Sequence, residues 1–205
     1  MCDLRVVLIG GTSNTGKSTV AEVVAGRLGF EHRSTDGLAR HPGRPWRTPD
    51  REVPPHVAEH YATLTTDELI ASVLAHYEHL WPRIEELITD RARPGGPGLV
   101  LEGSALLPER VARLTVPRTA AVWLTADDAV LRGRVRAAGR YEEAMAGERL
   151  LMDRFLARTV RYQELTLAAV DALGLDRVDG GGGRTVAEVA DAVLAVAGAQ
   201  ARPAP

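Results

Sequence analysis

The chain has 205 residues, of which 45% are hydrophobic and 25% charged, and its formal net charge is −2. This composition is typical of a soluble globular protein of one domain and excludes a chain that is disordered throughout. A charge so close to zero argues against a general nucleic-acid binder, so we expect no nucleic acid as partner. The one cysteine, Cys2, cannot form an internal disulfide and favours a reducing compartment.

No apolar run in the sequence approaches the roughly 20 residues that span a membrane. The N-terminus enters a predicted strand directly, without the pattern of a signal peptide. We therefore expect a cytoplasmic protein that does not associate with a membrane. The sequence leaves open whether the protein forms a homodimer.

Short runs rich in apolar and β-branched residues predict five strands, at 4–9, 30–34, 99–103, 120–125 and 176–180. Helical spacing of apolar residues predicts helices at 17–28, within 56–93, and at 126–138, 143–173 and 185–198. Thr65 and Glu68 form a capping box, and Pro82 further along either begins a new helix or bends the existing one. Strands that alternate with helices predict a parallel sheet with right-handed crossovers.

Residues 11–18, "GTSNTGKS", match the pattern G-x-x-x-x-G-K-[ST] of a phosphate-binding loop, and they lie between a predicted strand and a predicted helix. The glycines allow backbone N–H groups to point at a polyphosphate, Lys17 supplies an ammonium for the γ-phosphate, and Ser18 supplies a hydroxyl for Mg²⁺. Lys17 is the only lysine of the chain, as expected if arginine replaces lysine wherever the exchange is tolerated. The predicted nucleotide-binding residues of the loop are Gly11, Thr12, Ser13, Asn14, Thr15, Gly16, Lys17, Ser18 and Thr19.

Three further segments accompany the loop: "STDG" at 34–37, "LVLEGSALLPE" at 99–109, and an arginine-rich stretch after the fourth strand. Together they resemble the small P-loop kinases related to adenylate, gluconate, shikimate and chloramphenicol kinases, and the zeta-toxin-like and 2-phosphoglycerate-kinase-like proteins. The resemblance spans nearly the whole chain. It implies an α/β P-loop NTPase fold whose five-stranded parallel sheet has the order 2-3-1-4-5, with helices on both faces.

The resemblance also implies ATP and Mg²⁺ as cofactors and a single kinase domain over residues 1–200. Within it we expect an acceptor-binding insertion at about 37–93 and a lid at about 132–150, while residues 201–205 are expected to fray. Donor and acceptor are then expected to meet at the carboxyl ends of the strands.

Two acids follow predicted strands. Asp36 lies where similar kinases place the carboxylate that takes a proton from a hydroxyl acceptor, and the alternative is a cap for the short helix after it. A phosphate acceptor needs no base, so Asp36 favours an alcohol, sugar or nucleoside. Glu102 ends a buried strand, where an unpaired acid is costly, and it resembles the carboxylate that holds Mg²⁺ through water.

Several arginines follow the fourth strand. Arg134 matches best the lid arginine that packs on adenine in similar kinases. Arg154 and Arg158 are one helical turn apart, so both can project from one face towards the phosphates. We expect Arg158 to neutralise charge on the transferred group and Arg154 to contact substrate; the alternative for each is a solvated surface residue.

The segment 37–60 is rich in arginine and proline and occupies the place where related kinases build the acceptor site. Arg40, Arg44 and Arg47 would suit an acceptor that carries an anionic group, and Trp46 can stack on a ring. The alternative is a stiff structural segment with solvated arginines.

The sequence therefore predicts an ATP- and Mg²⁺-dependent kinase that transfers the γ-phosphoryl group to a hydroxyl of a small, anionic metabolite or a nucleoside. Two alternatives remain at this stage. One is a nucleoside monophosphate kinase, whose acceptor is a phosphate. The other is a nucleotide-sensing P-loop protein without catalysis.

Overall fold

Five parallel strands form the centre of the molecule in a computed structural model that describes residues 4–38, 43–48 and 52–201. The strands are β1 (Val6–Gly10), β2 (Glu31–Ser34), β3 (Leu99–Glu102), β4 (Thr119–Thr125) and β5 (Arg177–Asp179). Their order is β2-β3-β1-β4-β5, and every neighbouring pair is parallel. This order confirms the predicted sheet. Arg40, expected in the acceptor site, lies outside the described residues, as do Cys2 and 202–205.

The helices begin and end close to the predicted positions. They are α1 (Lys17–Leu28), α2 (Pro55–Thr63), α3 (Thr66–Arg91), α4 (Pro108–Val111), α5 (Asp128–Gly139), α6 (Ala146–Ala172) and α7 (Val186–Gln200). Single turns of 3₁₀ helix cover Thr35–Gly37 and Tyr141–Glu143. The sequence did not predict α4, because four residues are too few to show helical periodicity.

The helical region predicted within 56–93 is divided at Leu64, where α2 ends. The capping box starts α3: Glu68 N–H donates to Thr65 Oγ1, and the Glu68 carboxylate accepts from Thr65 N–H at 2.8 Å. From there α3 continues through Pro82 to Arg91. The alternative in which Pro82 begins a new helix is therefore wrong.

Alternate residues of the central strands face opposite layers of helices, as the twofold period of a strand requires. Val6 and Leu8 pack into a cluster with residues of α3 and α6, such as Ile84. Val7 and Ile9 pack on the other side with residues of α1 and α7. Helices on both faces of the sheet are thus confirmed. No helix in the described part of the chain is long and apolar enough to cross a membrane.

A third hydrophobic cluster joins the segments on which the sequence places the acceptor site and the lid. It includes Trp46, Tyr61 of α2, Leu131 of α5, and Met152 and Phe155 of α6. These segments are far apart in the sequence, so their packing fixes how the residues around 46 lie against α6.

Candidate active site

The phosphate loop between β1 and α1 is held in shape by its own threonines. Thr15 Oγ1 donates to the Thr12 carbonyl, and Thr12 Oγ1 donates to the carbonyl of Thr159 in α6, each at 3.0 Å. Gly11 has a φ of 126°, and a Cβ at this position would overlap the carbonyl oxygen of Leu124. Only glycine lets the chain leave β1 so close to β4.

Lys17 lies at the centre of this loop and is 7% exposed. Its Nζ donates to the Thr12 carbonyl at 2.6 Å. Burial lowers the pKa of Lys17, the acids Glu102 and Asp36 oppose that shift, and the Arg44 guanidinium adds to it. The cation therefore stands in the field of both acids that the sequence singled out.

Ser18 and Glu102 are in direct contact. Ser18 Oγ donates to Glu102 Oε1 at 3.0 Å, although the carboxylate is only 4% exposed. Glu102 is the last residue of β3, beside Ile9 of β1 and Ser34 of β2. A hydroxyl and a carboxylate are oxygen ligands of the kind that Mg²⁺ takes in nucleotide sites, so these two residues fit the expected metal.

Asp36 lies in the 3₁₀ turn that follows β2. The cap of this turn is Ser34, whose Oγ accepts from the Asp36 N–H at 3.3 Å. The alternative in which Asp36 itself caps the turn is therefore wrong. The neighbouring Gly103 has a φ of 155°, and a Cβ there would overlap Thr35 Oγ1. Glycine thus allows the ends of β2 and β3 to approach each other closely.

One cavity of about 470 Å³ brings most of the predicted residues together. From the loop and α1 it is lined by Ser13, Asn14, Thr15, Gly16, Lys17, Ser18, Thr19 and Val20. The remaining lining residues are Asp36, Arg44, Glu102, Gly103, Ser104, Arg134, Gly180, Arg184, Val186 and Val189. Gly11 and Thr12, which the sequence also predicts to bind the nucleotide, do not line it.

Arg134 connects the phosphate loop to the loop after β5. Its Nη1 donates to the Asn14 carbonyl at 3.0 Å and its Nη2 to the Gly180 carbonyl at 3.1 Å. Since β5 and β2 lie at opposite edges of the sheet, the cavity has an Arg134 end and an Asp36 end, with the phosphate loop between them.

Arg158 is a buried cation, 6% exposed, that packs against aromatic rings. Its guanidinium carbon lies 4.7 Å from the ring centroid of Phe155 and 5.6 Å from that of Tyr61. Burial and the Arg158 charge both lower the pKa of the nearby His60. Among the described residues no carboxylate forms an ion pair with Arg158, and its side chain does not line the 470 Å³ cavity.

The side chain of Arg154 has a different environment from that of Arg158. Its Nη1 donates to the carbonyl of Leu64, between α2 and α3, at 2.7 Å. The spacing of the two arginines predicts that both reach towards the phosphates from one helix face. In the structure, contacts with α2 and the residue that ends it determine where each guanidinium lies. The structure thus assigns Arg154 a contact with the backbone of the insertion.

Trp46 and Arg47 are also placed away from the phosphate loop. Trp46 is 2% exposed and packs edge-to-face on Phe155, with ring centroids 4.9 Å apart. Arg47 pairs with Glu148 at 2.9 Å. Both line a separate cavity of about 350 Å³. The sequence suggested that Trp46 stacks on a ring of the substrate, whereas the structure packs its indole on Phe155, in the cluster that also contains Tyr61 of α2.

Sequence reasoning did not single out Arg184 and Tyr77. Arg184 follows the glycines after β5 and lines the cavity. Tyr77 of α3 is 3% exposed, and burial raises its pKa to about 12. The run of glycines in "DGGGGRT" at 179–185 indicates a turn just before Arg184, but spacing alone does not tell where the Arg184 side chain points.

The fold and the loop geometry define a class of protein. A parallel sheet in the order 2-3-1-4-5, with a phosphate loop after its central strand, is the fold of the small P-loop kinases, and the resemblance seen in the sequence is confirmed for the fold.

Particular solved structures share this fold over nearly their full lengths. A gluconokinase from Sinorhizobium meliloti 1021 is 21% identical, with 98% of this chain and 95% of that chain covered and a TM-score of 0.54. A shikimate kinase from Aquifex aeolicus is 15% identical, with 96% and 98% covered and a TM-score of 0.55. A sugar kinase from Janibacter sp. HTCC2649 is 16% identical, with 94% of each chain covered and a TM-score of 0.53. No family model and no curated protein matches the chain.

Proposed function

We propose that this protein is an ATP- and Mg²⁺-dependent kinase that transfers the γ-phosphoryl group to a hydroxyl of a small anionic metabolite. One observation carries the proposal: Lys17, the Ser18–Glu102 pair and Asp36 all line one cavity. These residues supply a cation for the transferred phosphoryl group, oxygen ligands for a metal and, in Asp36, an exposed carboxylate for the acceptor.

The donor half of the site consists of the phosphate loop and its neighbours. When bound, Mg²⁺-ATP supplies the phosphoryl group and the metal charge that neutralises it. Backbone N–H groups of the loop and Lys17 hold the phosphates, while Ser18 and Glu102 hold the metal. Arg134, which donates to the carbonyls of Asn14 and Gly180 at the edge of the cavity, would pack on the base.

The acceptor half is at the Asp36 end of the cavity. Asp36 is exposed to the cavity, so its carboxylate is free to accept the proton of a hydroxyl that attacks the phosphorus. Arg44 lines the same cavity and would attract an anionic group on the acceptor. Outside this cavity, the buried Arg158 guanidinium packs on the rings of Tyr61 and Phe155 and pairs with no acid among the described residues, which favours an anion close to α2.

The nucleoside monophosphate alternative fits less well. Its acceptor would be a phosphate that already carries the attacking negative charge, and the Asp36 carboxylate would repel it. The three solved kinases with this fold bear the names gluconokinase, shikimate kinase and sugar kinase. Hydroxy acids such as gluconate and shikimate are therefore the first acceptors to test.

The experiment is transfer of labelled phosphate from ATP, first to a panel of hydroxy acids and sugars and then to a metabolite extract, with mass spectrometry of the product. We expect one phosphorylated hydroxyl compound that disappears with the Lys17→Ala variant. Arg27→Ala, on the outer surface of α1, is the matched cation control. ATP binding without any transferred phosphate would instead favour the non-catalytic alternative.

A further inference from the structure

Three buried residues in the middle of α6 contact the segments that follow three neighbouring strands. The Thr159 carbonyl accepts from the Thr12 hydroxyl, after β1, and the Tyr162 hydroxyl donates to the Ser104 carbonyl, after β3, at 2.5 Å. The third residue, Gln163, contacts the segment after β4. In little more than one helical turn, α6 is therefore bonded to the phosphate loop and to the segments on both sides of it.

Gln163 makes two hydrogen bonds to a single residue. Its Oε1 accepts from the Ala126 N–H at 3.1 Å, and its Nε2 donates to the Ala126 carbonyl at 2.7 Å. Glutamine can do this because its amide carries an acceptor and a donor on one carbon. Ala126 is buried, so a backbone group left without a partner there would be costly. The pair of bonds therefore fixes the position of Ala126 against α6.

Ala126 lies at the base of the two segments that hold Arg134. The helix α5, which carries Arg134, begins two residues after Ala126, at Asp128. The other segment is the loop after β5, where the Gly180 carbonyl accepts from Arg134 and the Gly180 N–H donates to the Thr125 carbonyl at 2.8 Å. Both the helix that carries Arg134 and the loop that receives it are thus attached to the end of β4.

Arg134 in turn contacts the phosphate loop, because its Nη1 donates to the Asn14 carbonyl. The start of the same loop is bonded to α6 through the Thr12 hydroxyl. The helix α6 therefore holds the loop at two points: directly at Thr12, and at Asn14 through the series of contacts that begins at Gln163.

We infer that Gln163 is a positioning residue of the nucleotide site: through Ala126 it fixes the base of α5, so that Arg134 keeps its place against the phosphate loop. Gln163 does not line the cavity, so its effect on nucleotide affinity passes through Arg134. The inference deepens the proposed function. It rests on that proposal for the nucleotide ligand and not for the transfer of phosphate.

The test is calorimetric titration of ATP with Mg²⁺ into wild type, Gln163→Met, Arg134→Ala and the variant that carries both changes. Methionine retains the length of the side chain and removes both hydrogen bonds to Ala126. We expect Gln163→Met to weaken ATP binding by about fivefold to thirtyfold, the order of the coupling between residues that share a network of contacts. When Arg134 is already alanine, the same change should cost less than about twofold, because the residue through which it acts is absent.

Gln200 of α7 is the matched control. Its amide makes the same pair of hydrogen bonds to the backbone of Ala121, each at 2.9 Å, towards the amino end of β4 and away from the site. Gln200→Met should leave ATP affinity within about twofold of wild type. Thermal unfolding of Gln163→Met and Gln200→Met measures what each amide contributes to the stability of the fold, separately from binding.

Three results would overturn the inference. Equal losses of ATP affinity from Gln163→Met with and without Arg134 would show that Gln163 acts by another route. A loss in Gln200→Met as large as in Gln163→Met would show only a general effect of weakening β4, and unchanged affinity in Gln163→Met would remove Gln163 from the site. If Gln163→Met fails to fold, Gln163→Glu decides: its carboxylate accepts from the Ala126 N–H but cannot donate to the carbonyl, so the same dependence on Arg134 is expected.

The result is separable from catalysis. If Gln163→Met weakens ATP binding only when Arg134 is present, and the protein phosphorylates no acceptor, Gln163 remains a positioning residue and the kinase is refuted. If the protein transfers phosphate and Gln163→Met binds ATP as wild type does, the kinase remains and the positioning role is refuted.

Discussion

Ser18 Oγ and Glu102 Oε1 are joined by a 3.0 Å hydrogen bond that connects the first turn of α1 to the carboxyl end of β3. The two residues are 84 positions apart in the chain, and the pairing of β1 with β3 brings them together. The sheet itself therefore holds the two oxygens side by side.

Glu102→Gln should weaken Mg²⁺ binding while preserving the shape of the site. The amide retains a hydrogen-bond acceptor for Ser18 but removes the charge, and loss of an acid that holds a metal through water typically costs about tenfold to a hundredfold in metal affinity. The measurement is the Mg²⁺ concentration for half-maximal turnover. Glu109→Gln, an exposed neighbour in α4, should leave that concentration unchanged; an unchanged value for Glu102→Gln would exclude the metal role.

Lys17→Ala should lower kcat by about a thousandfold or more, because the ammonium interacts with the charge that moves during transfer. Lys17→Arg should fail nearly as badly, since the rigid guanidinium does not fit the buried position near the Thr12 carbonyl. Thermal unfolding of the unliganded variants is the control for folding. Wild-type kcat in either variant would contradict this account of the only lysine.

The pH dependence of kcat/KM for ATP should reveal the buried state of Lys17. Burial lowers its pKa from 10.5, so the ammonium loses its proton at a lower pH than an ordinary lysine would. Activity that requires the cation is present below that pKa and falls as the pH rises through it. The residual activity of Lys17→Arg should lack this alkaline fall, because a guanidinium stays charged to above about pH 12.

Asp36→Asn should lower kcat by about 10²- to 10⁴-fold, the usual contribution of a general base. The dissociation constant of ATP should hardly change, since Asp36 lies at the acceptor end of the cavity. Turnover should recover partly as the pH rises, because solvent hydroxide replaces the missing base. Asp128→Asn in α5 is the matched control. Turnover within about a factor of three of wild type would refute proton abstraction and favour a phosphate acceptor.

Arg158→Met should fold as stably as wild type yet lose turnover. A hydrophobic side chain of similar length replaces a buried cation that pairs with no acid among the described residues, so no partner is left with an unpaired buried charge. If Arg158 faces an anion of the acceptor or of the transferred group, kcat falls while ATP affinity is retained, whereas Arg134→Ala should weaken ATP binding more than kcat. Equal effects of both variants on ATP dissociation would show that these two roles are misassigned.

Trp46→Ala should destabilise the fold by about 3–5 kcal/mol, the usual cost of removing a buried aromatic side chain. The reason is its packing on Phe155 within the cluster that connects α2, α5 and α6. Denaturant unfolding measures the loss. Trp46→Phe keeps most of the packing and should be nearly as stable as wild type. A large rise in the acceptor KM of Trp46→Phe without a loss of stability would instead support direct contact between the indole and the acceptor.

The parts of the site that the sequence predicts are local in the chain. The phosphate loop is a contiguous pattern between a strand and a helix, and Glu102 is marked by the apolar strand before it, so both could be located without any tertiary information. The sheet order came from resemblance, and the helix bounds came from periodicity and from the capping box of Thr65 with Glu68.

The parts that the sequence did not predict depend on distant contacts. Helical spacing places Arg154 and Arg158 on one face, but the carbonyl of Leu64 and the ring of Tyr61 decide where each guanidinium goes. The burial of Trp46 follows from Phe155, more than a hundred positions later in the chain. Ser34 and Asp36 could each cap the turn after β2, and only the hydrogen bond from the Asp36 N–H to Ser34 Oγ identifies Ser34 as the cap.

Two consecutive residues of α6 contact two segments that lie far apart in the sequence. The carbonyl of Thr159 accepts from the Thr12 hydroxyl of the phosphate loop, while the guanidinium of the preceding Arg158 packs on Tyr61 of α2 and on Phe155 of α6 itself. One peptide unit, with a helical rise of about 1.5 Å, therefore sets the spacing between the contact with the phosphate loop and the contact with α2. Loops elsewhere can change in length without altering that spacing, whereas one residue inserted between Arg158 and Thr159 would turn one contact relative to the other by about 100°.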